Sequence, residues 1–288
     1  MAEAARLCWC LLSLPRVTSA PFVIRSRDNQ TAKLLVGLAH SSRERKKTGL
    51  TVLDGAHLVD AYLGSGGVPQ VVVIRESSMD SADAVSLRNR LAETGIKPTV
   101  MLDALVAEAS QLDSPASIMA IVATPLAKSI PIDASAVLVL ENVQDPGNVG
   151  AMLRCAAAFN VAHVLCGAGT AFAWSPKVLR AAQGAHFVVN IVEGDNVAEF
   201  LARYRGVSIA MVPHASNTIR LADTDLRGPV AILVGSEGLG LSAETIAAAT
   251  ARVTIPMPGA MESLNAASCG AIAMYELCRQ RQASPTRI

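Results

Sequence analysis

The chain has 288 residues, 51% of them apolar and 17% charged, and a formal net charge of +1. That length suits two domains, and that apolar content excludes a disordered chain. The near-neutral balance excludes a uniformly basic nucleic-acid coat, though not a local basic patch. Mean hydropathy is positive, yet the best apolar stretch, Cys155 to Trp174, is broken by Asn160, His163, Gly167, Gly169 and Thr170. It reads as helix, turn and strand, not as a membrane span of roughly 20 uninterrupted apolar residues.

Residues 1–22 read as a poorly ordered leader. Leu7 to Leu14 is a short apolar run, and Thr18-Ser19-Ala20 has the look of a cleavage site. Arg16, Arg25 and Arg27 also suit a mitochondrial presequence, while Glu3 and the brevity of the run count against both targeting readings. Residues 23–123 then alternate helical and strand patterns, which predicts a small α/β sandwich. Asn29 to Ala39 carries a helical apolar stripe behind a capping residue. Thr51 to Leu53 is a short strand leading into a helix over Gly55 to Leu63. Gln70 to Ile74 and Ile118 to Ala123 are buried strands by their apolar runs, with a helix over Ala82 to Glu93 and a short strand at Thr99 to Met101 between them. Two prolines mark residues 124–134 as a linker.

From 135 to 282 strands and helices alternate densely, leaving 283–288 as a tail. Strands are expected at Ala136 to Glu141, His163 to Cys166, Phe187 to Val192, Val207 to Val212, Val230 to Val234 and Arg252 to Ile255. Helices are expected near 148–159, 175–183, 196–204, 242–249 and 264–281. This alternation predicts a mostly parallel sheet covered on both faces, with ligands held by the loops after the strands. The six cysteines show no CxxC, and Cys155, Cys166, Cys269 and Cys278 lie in apolar stretches. They read as buried free thiols of a reducing compartment, the cytoplasm, with the mitochondrial matrix as the alternative. The five histidines pair with no cysteine at ligand spacing, so no metal site is expected.

Three loops carry chemistry. The first runs Glu141-Asn142-Val143-Gln144-Asp145-Pro146-Gly147-Asn148-Val149-Gly150 and on to Arg154. A turn follows a strand, with Asn148 at a helix start where it reads as a cap. Arg154, six residues on, projects about 120° away from it. The second, Gly235-Ser236-Glu237-Gly238-Leu239-Gly240, follows an apolar strand. It is a ligand loop without the lysine of a phosphate cradle or the GxGxxG spacing of a dinucleotide site. The third joins Ile255-Pro256-Met257 to Ser263-Leu264-Asn265, where Ser263 can cap a helix and Asn265 is not explained by packing.

In order and spacing these three segments resemble the motifs of the SpoU/TrmH family of RNA ribose 2′-O-methyltransferases, over the whole of 135–282. Departures are mild: Cys155, Asn160, Ser236 and Ala267 stand where the family often has Thr, Gly, Asn and Ser. Residues 23–123 resemble, more weakly, the family's L30e-like RNA-binding domain, through Ile24 to Ala39, the Arg43 to Lys47 cluster and Leu53 to Val59. The resemblance implies a C-terminal trefoil-knot domain, S-adenosylmethionine as cofactor, and a homodimer with the site near its interface. It assigns Gly235, Ile255 and Leu264 to the cofactor, and Asn148, Arg154, Glu237, Ser263 and Asn265 to the reaction centre. There Arg154 is the family's general base or, equally, a stabiliser of the developing oxyanion or a clamp on the adjacent phosphate, and Glu237 can orient it. Arg25, Arg27, Lys33, Arg43, Arg45, Lys46 and Lys47 face only Asp28 and Glu44 within 25–47, and are expected to contact RNA phosphates. The L30e likeness favours 23S-type rRNA over tRNA. Two other classes stay open: a non-catalytic RNA- or ribosome-binding protein, and a nucleotide-dependent oxidoreductase. Binding of adenosylmethionine would discriminate among them.

Overall fold

The computed structural model describes residues 23–92, 95–112, 114–194, 196–261 and 263–283. The expected leader and all but the first residue of the expected tail lie outside them. The first half contains β1 (Val23–Ile24), α1 (Gln30–His40), α2 (Ser42–Thr48), β2 (Leu50–Asp54), α3 (Ala56–Gly64), β3 (Val71–Arg75), α4 (Ala82–Ala92), β4 (Thr99–Met101), α5 (Asp103–Ala109) and β5 (Ile118–Ala123). The strands form one sheet in the order β1-β4-β3-β5-β2, with β5 antiparallel to both neighbours. Asn29 caps α1 by accepting the Thr31 amide at 2.9 Å, which satisfies an otherwise orphaned helix donor. The basic cluster is a separate short helix, α2. Ser41 caps it at 3.1 Å and Gly49 ends it at φ 66°, in the left-handed region open to glycine.

The second half contains β6 (Ala136–Glu141), α6 (Pro146–Ala158), β7 (His163–Cys166), α7 (Pro176–Ala182), β8 (Asn190–Glu193), α8 (Val197–Arg203), β9 (Val207–Met211), β10 (Ile219–Arg220), β11 (Val230–Gly235), α9 (Ala243–Ala248), β12 (Ala251–Thr254) and α10 (Ala266–Ala283). All seven strands run parallel, in the order β10-β12-β9-β11-β6-β7-β8. The chain winds outward from β6 to β8, then crosses to the other side to build β9 to β12. The reversal falls between β6 and β11, where a parallel sheet opens a crevice beyond its strand ends. β11 is buried along its whole length, as its unbroken apolar run requires when helices cover both faces.

The structure departs from the expected elements in several places, the short β1 and α2 among them. α5 and the two-residue β10 have patterns too short to read. The expected strand from Phe187 begins only at Asn190, because Ala185–Phe187 close a 3-10 turn after Gly184. That turn is held by burial of His186, whose Nε2 lies 2.7 Å from the Ala173 carbonyl, and by Phe187 meeting Tyr62 edge-on at 5.1 Å.

The Tyr62–Phe187 contact belongs to a seam between the two halves. Thr51 Oγ1 donates to the Trp174 carbonyl at 3.0 Å. The buried Asp54 carboxylate accepts Ser110 Oγ and the Gln111 amide, each at 3.0 Å, and lies 3.8 Å from the Arg180 guanidinium. A Cβ on Gly184 would sit 2.7 Å from Ala61 Cβ. One apolar cluster runs from Leu53, Val59 and Tyr62 through to Leu138, Trp174 and Val234. The connecting segment is also tied down, since Asn190 bonds both the Lys128 amide and its carbonyl. Among the described residues no helix is long and apolar enough to cross a membrane.

Candidate active site

The parallel register of β6 and β11 sets Gly235 opposite Glu141, so the first two motif loops leave the sheet side by side. Asp145 caps α6, its Oδ1 accepting the Asn148 amide at 2.8 Å, and Pro146 occupies the first helical position, where its missing donor costs nothing. The expected capping role of Asn148 is therefore corrected. With Asp145 on the helix end, the Asn148 side chain is free to leave the helix.

The third motif needs a matching correction. Asn265, rather than Ser263, caps α10: its Oδ1 accepts the amides of Ala267 at 2.9 Å and Ser268 at 3.2 Å. This fixes the polarity of a longer chain of bonds. Because Oδ1 of Asn265 faces helix N–H groups, its Nδ2 must be the donor to Asn148 Oδ1, at 3.0 Å. That leaves Asn148 Nδ2 to donate to Glu237 Oε1, a carboxylate that only accepts when ionised. Residues separated by as many as 117 positions thus form one ordered relay.

The second motif folds back on itself. Gly240 N donates to the Ser236 carbonyl at 2.9 Å, and Gly240 adopts φ 68°. A Cβ on Gly235 would lie 2.2–2.3 Å from backbone atoms of Gly240 and Leu241, so only glycine permits this approach. Inside the fold lies a cavity of about 330 Å³ lined by Gly235, Glu237, Ile255, Ser263 and Leu264 together with the loop from Met211 to Pro213. All three residues expected at the cofactor are on its wall. Asn148 and Asn265 stand beside it, joined to it through Glu237. The Met211–Pro213 wall belongs to none of the three motifs, and its place after a strand end is the one sequence signal for it.

Two wall residues bear on chemistry. Thr254 Oγ1 is buried without a hydrogen-bond partner, a costly arrangement unless a ligand supplies one. Cys269 also lines the cavity, and burial pushes its thiol up to about 11. It stays protonated near neutral pH and is a poor nucleophile. Arg154 is exposed on α6. The expected Arg154–Glu237 pairing is replaced, since Glu237 takes the Asn148 amide instead.

The basic row is thinner than its charge count. Arg25 pairs with Glu76, Arg27 with Glu108 at 3.1 Å, and Lys33 with Asp28 at 2.8 Å. Arg45 is buried and donates to the Leu38 carbonyl at 2.5 Å, closing the end of α1. It is withdrawn from the surface, which corrects its expected phosphate contact. Arg43, Lys46 and Lys47 remain exposed on α2, with the Lys46 ammonium 5.3 Å from the centroid of Phe172 on the loop after β7.

Comparison with known proteins places this geometry in context. Residues 135–275 match the SpoU rRNA Methylase family. The 23S rRNA guanosine 2′-O-methyltransferase RlmP of Bacillus subtilis is 31% identical over 88% of this chain and 98% of its own length. The mitochondrial rRNA methyltransferase 3 of Homo sapiens is 27% identical over 82% of this chain and 69% of its own. Among solved structures, an RNA 2′-O-ribose methyltransferase superimposes with a TM-score of 0.75 at 28% identity, covering 91% of this chain and all of that one. AviRb of Streptomyces viridochromogenes, solved with adenosylmethionine, shares the fold with a TM-score of 0.76 at 22% identity, over 89% of this chain and 99% of its own.

Proposed function

The chain belongs to the SpoU rRNA methylase family, and we propose that it methylates a ribose 2′-hydroxyl of large-subunit ribosomal RNA, using S-adenosylmethionine. The observation that carries this reading is the Asn265–Asn148–Glu237 relay beside the cavity walled by Gly235, Ile255 and Leu264. The cavity fits the cofactor on its own features. The orphaned Thr254 hydroxyl and the backbone of a folded glycine loop offer polar groups to an adenosyl moiety, and apolar side chains flank them. When bound, adenosylmethionine supplies an electrophilic methyl group on a sulfonium. The chain's own residues then have separate tasks. Asn148 is held in one orientation by partners on both sides, so it positions the ribose. Arg154, exposed on α6, stabilises negative charge as it develops on the attacking oxygen while the hydroxyl proton leaves to water. Ser263 lines the approach.

Three features of the family accompany this reading. The trefoil knot is proposed on the family likeness, with α10 seated closely on α6, where a Gly270 Cβ would lie 2.9 Å from Met152 Sδ. The exposed Met261 and, on α10, Ile272 and Tyr275 support a homodimer that covers them. The free thiols of Cys155, Cys166, Cys269 and Cys278 support the cytoplasm.

Calorimetry should detect binding of S-adenosylhomocysteine to the purified protein and none of NAD. No homocysteine-product binding up to millimolar concentration would overturn the proposal. Ribosomal RNA from cells lacking the protein should show one missing 2′-O-methyl site.

We further propose the first sheet as an L30e-like RNA-binding unit that presents α2 to the substrate. Neutralising Arg43, Lys46 and Lys47 together should lower the log–log salt slope of RNA binding by roughly 0.7–0.9 for each phosphate neutralisation removed, with cofactor affinity unchanged. Adding Arg45→Ala should lower the melting temperature and leave that slope where the triple variant put it. A slope unaltered by the triple change would move the RNA surface elsewhere.

A further inference from the structure

Glu141 ends β6 beside the cavity, and the reaction scheme gives it no task. Its carboxylate gathers three donors from the start of α9. Oε2 accepts the Ser242 amide at 2.8 Å, and Oε1 accepts Ser242 Oγ at 3.0 Å and Thr245 Oγ1 at 2.7 Å. Thr245 is buried. The Ser242 hydroxyl donates to Glu141 while accepting the Thr245 amide at 3.1 Å as the helix cap, using both halves of its bonding capacity. Glu141 itself is not on the cavity wall.

What lies between these contacts is the glycine loop. At one end Gly235 is fixed in the sheet opposite Glu141. At the other, Ser242 is tied to that same Glu141. The residues between, Ser236 to Leu241, line the cavity, and Gly238 and Leu239 at the tip are exposed. Apart from the Gly240–Ser236 bond, the exposed tip has little to hold it, so the loop depends on its ends for its shape. We infer that Glu141 is a positioning residue for cofactor binding, holding the Ser236–Leu241 loop in the form that receives adenosylmethionine without touching it. The inference rests on the cofactor reading of the cavity. A charge-assisted carboxylate with three donors is a strong clasp, and its removal releases the C-terminal end of the loop.

The test titrates S-adenosylhomocysteine into wild type, Glu141→Ala and Glu141→Gln by calorimetry. It is paired with the affinity for a labelled single-stranded RNA 20-mer and with the cofactor KM and kcat. Glu141→Ala should bind S-adenosylhomocysteine about 10-fold or more weakly, with KM raised in step. RNA affinity should be unchanged, and kcat at saturating cofactor should stay within about threefold. Glutamine can satisfy only part of the donor set and should fall between. Wild-type affinity in Glu141→Ala overturns the inference. If that variant also loses RNA binding and so has misfolded, Thr245→Val decides, because it removes one of the three bonds. A loss of about threefold supports the inference, and none overturns it. Failure of the wild type itself to bind S-adenosylhomocysteine overturns the cofactor reading, and this inference with it.

Discussion

Arg154→Ala is expected to lower single-turnover methylation by at least about 10²-fold, the usual scale for losing a preorganised electrostatic stabiliser. S-adenosylhomocysteine affinity and fold should survive, because Arg154 lies on the exposed face of α6 and off the cavity wall. Lysine at the same position separates charge from shape. Glu237 bonds Asn148 rather than Arg154, so this structure holds no preformed carboxylate pairing for a planar guanidinium to keep. If charge alone acts on the ribose oxygen, Arg154→Lys should recover part of the rate. If lysine recovers nothing, bidentate contact with the RNA backbone carries the effect. Near-full activity of Arg154→Ala with saturating RNA would remove Arg154 from the chemistry altogether.

Gly235→Ala should be as damaging by a different route. The added methyl group would lie 2.2–2.3 Å from the carbonyl of Gly240 and the amide of Leu241. Those are backbone atoms, which cannot swing aside as a side-chain end can, so the whole loop must move. Overpacking of this kind typically costs about 1–3 kcal/mol. Spent on the cavity wall, it corresponds to a loss of S-adenosylhomocysteine affinity approaching about 10²-fold. Gly228→Ala is the control. It is off the cavity wall and nothing lies within 4 Å of its would-be Cβ, so it should bind as wild type does. Equal binding by both variants would mean that the loop is not shaped by the contact at Gly235.

Much of this site is readable because its parts are local. The apolar runs of β6 and β11 announce buried parallel strands, and the glycine spacing after Val234 announces a loop that backbone or ligand must approach closely. Gly235, Ile255 and Leu264 follow from family spacing, and all three reach the cavity. What escapes reading depends on distant partners. Asn148 meets Glu237 across 89 positions and Asn265 across 117, so neither bond leaves a periodic trace. Asn265 does leave a sign, as a polar residue at a helix start that packing does not explain. Its role as the cap accounts for it. The basic segment misleads because part of its charge balances against residues outside 25–47, where Glu76 and Glu108 neutralise two of its arginines. Arg45 misleads because nothing in a run of cations says which one turns inward.

The buried seam between the two sheets changes when ordering entropy is lost. In two domains on a free tether, the basic helix and the reaction centre would search for each other each time a substrate docked, and affinity would fall by that search. Here Thr51 against Trp174 and Tyr62 against Phe187 have completed the search during folding. The span from α2 to Asn148 is then a fixed calliper. If α2 contacts RNA as proposed, an RNA whose own tertiary shape holds a phosphate track and an accessible ribose at that span meets both jaws with no added cost of ordering the two halves of the protein. A floppy strand must be ordered by the protein first. On the proposed reading of α2 as an RNA contact, the three-dimensional shape of the RNA would then contribute to selection of the target.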